Sequence, residues 1–149
     1  MPARKHCVRV VLDTNIFVGY YLSRSPTSAN AQVVRLWRDL RQLQLIVSDP
    51  IVEEYLEVLP RLRVEKRRVQ SLSDRLRRRS TVSHVNLGAR VVASRDPDDN
   101  LMLATAKTGR TAYLFTNDHD LLDIPTTQRR LFRFKIVTPQ QLLAEMAEL

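Results

Sequence analysis

Cysteine is almost missing from this chain: its 149 residues hold one, Cys7. A disulfide framework and a zinc site of cysteine type are thereby excluded, and a reducing cytosol is the default compartment. Cys7 itself reads as a small residue near the start of a strand. Histidine is scarce too. His6, His84 and His119 show none of the paired spacing of a zinc site. No apolar run is long enough to span a membrane. Arg4, Lys5 and His6 ahead of an apolar stretch superficially suggest an export signal, but the stretch is short, contains Arg9 and stops at Asp13. Glycine numbers three, and the first strand leads into Asp13-Thr14-Asn15 and not into a Gly-rich turn, which argues against a dinucleotide site. No internal repeat, low-complexity tract or linker divides the chain, so residues 1–149 read as a single domain of ordinary size.

What the chain has in excess is positive charge. The formal net charge is +8, and most of the basic residues are Arg. The planar fork of Arg suits phosphate, so the balance favours a polyanionic partner. A basic surface tuned for solubility or for an acidic protein is the alternative.

Val8 to Leu12 is a β-branched, apolar run that ends abruptly in Asp13. A strand apolar on both faces belongs in the middle of a parallel sheet covered by helices. Strand and helix signals then alternate. Asn15 to Leu22 reads as a short helix, and Thr27 or Ser28 caps a helix to about Arg41 with Val33, Leu36, Trp37 and Leu40 as its stripe. Trp37 is expected in the core. Leu43 to Val47 is a second strand. A helix after Ser48, with Val52, Tyr55, Leu56 and Leu59 as its inner stripe, ends at Pro60, and a long basic helix is expected over residues 61–79, with Leu62, Val69, Leu72 and Leu76 inward. Thr81 to Val85 is a third strand, followed by a loop around Gly88. A helix with body Leu101 to Lys107 stops at Gly109, and Tyr113 to Phe115 is a fourth strand. After a polar loop over residues 125–130, Phe134 to Val137 is the last strand and Thr138-Pro139 opens a closing helix to about Glu148. The alternation implies a three-layer α/β/α sandwich around a parallel sheet.

Four acidic stations follow strands or open helices: Asp13, the pair Glu53 and Glu54, the cluster Asp96, Asp98 and Asp99, and Asp118 with Asp120. In a parallel sheet these handover points share one edge, where open α/β sheets bind ligands. Crowded carboxylates raise one another's pKa, and a cation relieves the repulsion. Oxygen-only donors favour Mg²⁺ or Mn²⁺. Each acid has a plainer reading as a helix cap or a partner of the helix dipole. Glu53 falls in a column with Asp49 and Glu57, a solvated face. Glu54 lies beside Ile51 and Val58 and leans toward the packed side. Asp96 looks like a cap, and helical position does not separate Asp98 from Asp99. Ser48 and Thr116 either orient ligands or cap.

These residues resemble a known family. Val11-Leu12-Asp13-Thr14-Asn15-Ile16-Phe17, Ser48 with Glu54 six positions later, Asp96-Pro97-Asp98-Asp99 before Leu101, and Leu114 to Leu122 are together similar to the PIN-domain nucleases. The likeness is strongest to the branch of toxin components of bacterial and archaeal toxin–antitoxin pairs, and runs from Val10 to about Leu122. It implies strand order 3-2-1-4-5, a Mg²⁺ or Mn²⁺ site, endoribonuclease activity on RNA (single-stranded), an antitoxin protein partner and a homodimer. It places the catalytic and metal-holding acids on Asp13, Glu54, Asp99 and Asp118. Asn15, Thr116, Asp98 and Asp120 are supporting residues. Asn117 departs from the pattern, since this branch usually carries Gly there. Residues 61–92 match no motif.

The implied chemistry is metal-assisted phosphodiester hydrolysis, leaving a 5′-phosphate and a 3′-hydroxyl. Arg61, Arg63, Lys66, Arg67, Arg68 and Arg75 are candidate guides for the nucleic acid, or else form a solvated face or a contact for an acidic antitoxin. The short aromatic helix Phe17 to Tyr21 and the helix Val33 to Leu40 are candidate dimer surfaces. Two other classes compete. One is a non-catalytic nucleic-acid-binding domain, against which all four acids speak. The other is a phosphatase of haloacid dehalogenase type, which needs an Asp where Asn15 stands.

Overall fold

The computed structural model describes residues 7–23, 25–87 and 97–147; side chains at 97–99 and 146–147 lie outside that description. Five strands form one parallel sheet: β1 (Val8–Leu12), β2 (Leu43–Val47), β3 (Val82–His84), β4 (Tyr113–Phe115) and β5 (Lys135–Val137). Their spatial order is β3-β2-β1-β4-β5. The first strand is therefore the central one. Val10, Val11 and Leu12 are fully buried, as a strand covered on both faces must be. Val10 stands opposite Leu45 on one side and Tyr113 on the other.

Helices α1 (Thr14–Leu22) and α2 (Ala29–Arg38) join β1 to β2, and α3 (Asp49–Arg61) and α4 (Lys66–Leu76) join β2 to β3. Helix α5 (Pro97–Thr108) carries the chain from β3 across to β4 and packs on β1, β2 and β4. The short α6 (His119–Leu122) and α7 (Thr126–Arg129) lead to β5, and α8 (Pro139–Ala147) closes against α2. The chain builds outward from β1 in one direction, then returns to build in the other. The reversal lies between β1 and β4, and such switch points open a crevice at the carboxyl ends of the strands.

The core is apolar and interlocked. Phe17 meets Trp37 edge-on at 5.8 Å and Tyr55 at 4.8 Å. Trp37 is 1% exposed, and its indole N–H donates to the Thr81 carbonyl at 3.0 Å, so it is a core residue as expected.

Three local expectations need correction. The basic segment 61–79 is not one helix. Arg61 still ends α3, and the chain turns before α4 begins at Lys66. The Val64 amide donates to Leu59 O at 3.1 Å and the Arg63 amide to Pro60 O at 2.9 Å, with Arg63 at φ 65°. This is a Schellman termination, and it buries Val64 as the apolar residue that seals it, while Leu62 is left exposed. Gly109 ends α5 but does not take the left-handed position. Arg110 does, at φ 50°. Gly109 is required for another reason: a Cβ there would run into Ile46 Cγ2 of β2. Finally, the polar segment 125–130 contains α7 and is not a plain loop, with Pro125 as its cap residue. The expected loop around Gly88, the cap at Asp96 and the end at Glu148 lie outside the described residues.

Candidate active site

The ends of β1, β2 and β4 hand over directly to Asp13, Ser48 and Thr116, all buried. Backbone ladders hold these residues in place. The Asp13 amide donates to Phe115 O at 2.9 Å, and the Thr116 amide to Val137 O at 3.0 Å. Three polar side chains at the end of an apolar sheet need partners, and each finds one.

Asp13 is 6% exposed and accepts a hydrogen bond from Thr116 Oγ1 at 2.7 Å. The same hydroxyl oxygen accepts from the Asp118 amide at 2.9 Å. Thr116 thus ties Asp13 to the backbone of the fourth station. Although Asp13 occupies the cap position of α1, its carboxylate makes no capping hydrogen bond. Burial pushes its pKa up from 3.8 to about 6. The Thr116 hydroxyl opposes this, the Asp118 carboxylate adds to it, and the Thr14 and Asn15 amides pull weakly the other way. A carboxylate held where its own charge is disfavoured, with a second carboxylate in its field, is a marker of a functional site.

Glu54 is half-buried and accepts a hydrogen bond from the hydroxyl of Thr14, the residue after Asp13. Glu53 is exposed, so the structure separates the pair as the helical pattern predicts. Beside Glu54, fully buried Tyr55 donates its hydroxyl to the Leu12 carbonyl. Helix α3 is thereby pinned to the last residue of β1. Burial first, then the nearby Asp13 and Glu54 charges, hold the Tyr55 phenol protonated far above its ordinary range. Ser48 and Thr105 share a buried hydrogen bond at 2.8 Å, which fastens the end of β2 to α5.

Asp118 is half-buried and caps α6 by accepting from the Asp120 amide at 2.9 Å. Asp120, Asn15, Asn117 and His119 are exposed around this edge. Asn117 is turned to α2, where its amide donates to Asn30 at 3.1 Å. Asp98 and Asp99 fall in the first turn of α5, and their side chains are outside those described. Among the described residues, no three His, Cys, Asp or Glu side chains are grouped closely enough to hold a metal. The donor chemistry nonetheless fits a hard divalent cation: Asp13, Glu54 and Asp118 offer only oxygen, and the burial of Asp13 favours any ion that offsets its charge.

The basic candidates divide by what they touch. Arg61 and Arg67 lie 3.7 Å from Glu57 and Glu65 in exposed pairs, while Arg63 and Lys66 are exposed at the turn. Arg68 is spent on packing: its guanidinium covers the Tyr21 ring at 4.6 Å and donates to the Tyr21 carbonyl at 3.0 Å. Arg75 is half-buried nearby. Of the candidate dimer surfaces, Phe17, Val33 and Trp37 belong to the core, Tyr20, Tyr21 and Leu36 are half-buried, and Leu40 is exposed.

Sequence reasoning treats Tyr55 as one more apolar position of its helix and passes over Thr105. A phenol and a hydroxyl on buried helical faces were the available signals, since each needs a partner when buried.

The sequence matches the PIN domain family over residues 9–120, three-quarters of the chain. No curated protein matches it. The fold is similar to a chain in the solved structure of VapBC2 from Rickettsia felis bound to a DNA fragment from their promoter. The TM-score is 0.55 at 15% identity, over 88% of this chain and 98% of that one. The family match over three-quarters of the chain, on a parallel sheet of this order, shows that the chain belongs to the PIN domain family.

Proposed function

We propose that this protein is a Mg²⁺- or Mn²⁺-dependent endoribonuclease that hydrolyses phosphodiester bonds of single-stranded RNA. We further propose that it acts as the toxin of a toxin–antitoxin pair, as one homodimeric domain spanning the chain. PIN domains are generally nucleases, and the reading is carried by one observation: Asp13, buried at the switch point, shares the Thr116 hydroxyl with the fourth acidic station. The fold likeness to a VapBC assembly supports the toxin role and an antitoxin partner.

Asp13, Glu54, Asp118 and one of Asp98 or Asp99, with Asp99 preferred, would hold the ion. When bound, such an ion lowers the pKa of water for attack on phosphorus and stabilises charge on the phosphate oxygens. The chain's own part is orientation. Thr116 fixes the Asp13 carboxylate, and Thr14 fixes Glu54. Tyr55 keeps the strand end that carries Asp13 in register with α3. Exposed Asn15, and exposed Asp120 after the cap, stand where a substrate strand enters.

The test is cleavage of single-stranded RNA with Mg²⁺ or Mn²⁺, beside EDTA, Asp13→Asn and Asp118→Asn. Cutting that needs the metal and both acids supports the proposal. Cutting that survives both substitutions removes it.

A further inference from the structure

A second polar surface, with none of the site's acids in its lining, lies on the free edge of the sheet. Strand β5 is the last in the sheet, and between it, α7 and α8 runs a groove of about 760 Å³. Its wall carries Arg129, Arg130, Arg133 and Lys135. A smaller recess of about 500 Å³, lined by Lys107 and Arg110, shares Arg133 and Phe134 with it. The two adjoin at Arg133 and Phe134. None of these six cations is in an ion pair with a described residue. Glu145 is the acid of the groove, and it accepts the Tyr113 hydroxyl at 2.9 Å. Arg129 is tied to the Ile124 and Leu122 carbonyls, so it adds charge without reaching out. Arg130, Arg133 and Lys135 are exposed.

The groove also holds two stacked rings. Phe132 and Phe134 lie 4.9 Å apart at 23°, with Phe134 buried and Phe132 half-buried. A base laid on Phe132 extends a stack that Phe134 already backs. Cations for a phosphate backbone beside an aromatic face are the two components of single-strand recognition, because every base has a π face and only unpaired bases offer it. We infer that the β5 edge is a binding track for single-stranded RNA, separate from the acidic site. It serves as an anchor for the substrate strand of the proposed nuclease and rests on that reading only for its purpose. An acidic peptide added to the free strand edge is the competing occupant, but it has no use for the ring pair.

The experiment is fluorescence anisotropy of a labelled oligouridine in EDTA, where hydrolysis is off. The proteins are the whole chain, the double variant Arg130→Gln/Arg133→Gln, Phe132→Ala, and Arg78→Gln/Arg79→Gln, two exposed arginines outside the groove, as a control of equal charge change. The groove double variant is expected to bind about tenfold more weakly, with the slope of log affinity against log salt lowered by roughly 1.4, two single-strand phosphate contacts. The control keeps both within about twofold. Phe132→Ala is expected to weaken oligouridine and leave heparin unchanged, and duplex RNA to compete poorly. Circular dichroism melts confirm that the variants fold. Wild-type affinity in the groove double variant overturns the inference. So does an oligoglutamate peptide competing as well as RNA of equal charge. Asp13→Asn keeps this binding, so a protein that binds here but cuts nothing sinks the nuclease reading and leaves the track standing.

Discussion

Asp13 is where burial and charge oppose each other most directly. Its pKa is near 6 in the fold and 3.8 as a free side chain. The folded state thus holds a proton that the unfolded chain releases. Stability is full below about pH 4, falls as pH rises toward 6, and stays lowered above it. A shift of that size corresponds to about 3 kcal/mol for a group this buried. Asp13→Asn, measured by urea unfolding in EDTA, is therefore expected to stabilise the protein at pH 7 by about 2–3 kcal/mol. It should do nothing at pH 4, while abolishing cleavage. A variant less stable than wild type at pH 7 would contradict the assigned burial cost. Thr116 faces the same carboxylate with a single hydrogen bond. Thr116→Val is expected to cost about 2 kcal/mol at pH 7 and to cut RNA hydrolysis more than tenfold, with Thr116→Ser restoring most of it.

At the scale of elements, the site depends on how α3 and α5 are fastened to the strand ends. Tyr55→Phe keeps the ring between Phe17 and the sheet but leaves the Leu12 carbonyl without its donor. A loss of about 1–2 kcal/mol in thermal or urea unfolding is expected, together with slower hydrolysis, because the residue after Leu12 is Asp13. On the opposite side, Gly109→Ala forces a methyl into Ile46 where α5 closes over β2. Overpacking of that kind costs about 1–3 kcal/mol, read as a lower unfolding midpoint. Gly109 also accepts from the Arg9 guanidinium at 2.8 Å, so β1 feels the same displacement.

Across the whole molecule, the ends of β1 and β4 carry Asp13 and Asp118 to one edge of the sheet, where the Asp118 charge adds to the raised pKa of Asp13, and the proposed cation would relieve that repulsion. Millimolar Mg²⁺ or Mn²⁺ at pH 7 is expected to raise the melting temperature of the wild-type chain and leave Asp13→Asn unchanged, by mass action on the folded state. Equal shifts in both proteins would place the binding elsewhere. Among the described residues, no helix is long and apolar enough to cross a membrane.

Much of this was legible in the chain. The doubly apolar run before Asp13 determined the central strand, since only a strand covered on both faces tolerates it. Alternating strand and helix signals determined the layers. Position on the helix after Pro50 determined that Glu54, not Glu53, turns to the site. What the chain could not show was partnership at a distance. Arg68 is as basic as Arg67 in sequence, yet one covers a tyrosine ring and the other sits in solvent. Tyr55 is one more apolar position until the Leu12 carbonyl stands opposite it. Arg63 in the left-handed region cuts a helix that periodicity would continue, because the burial of Val64 favours the turn. Local pattern sets which face a residue takes, and only the folded neighbours set what that face meets.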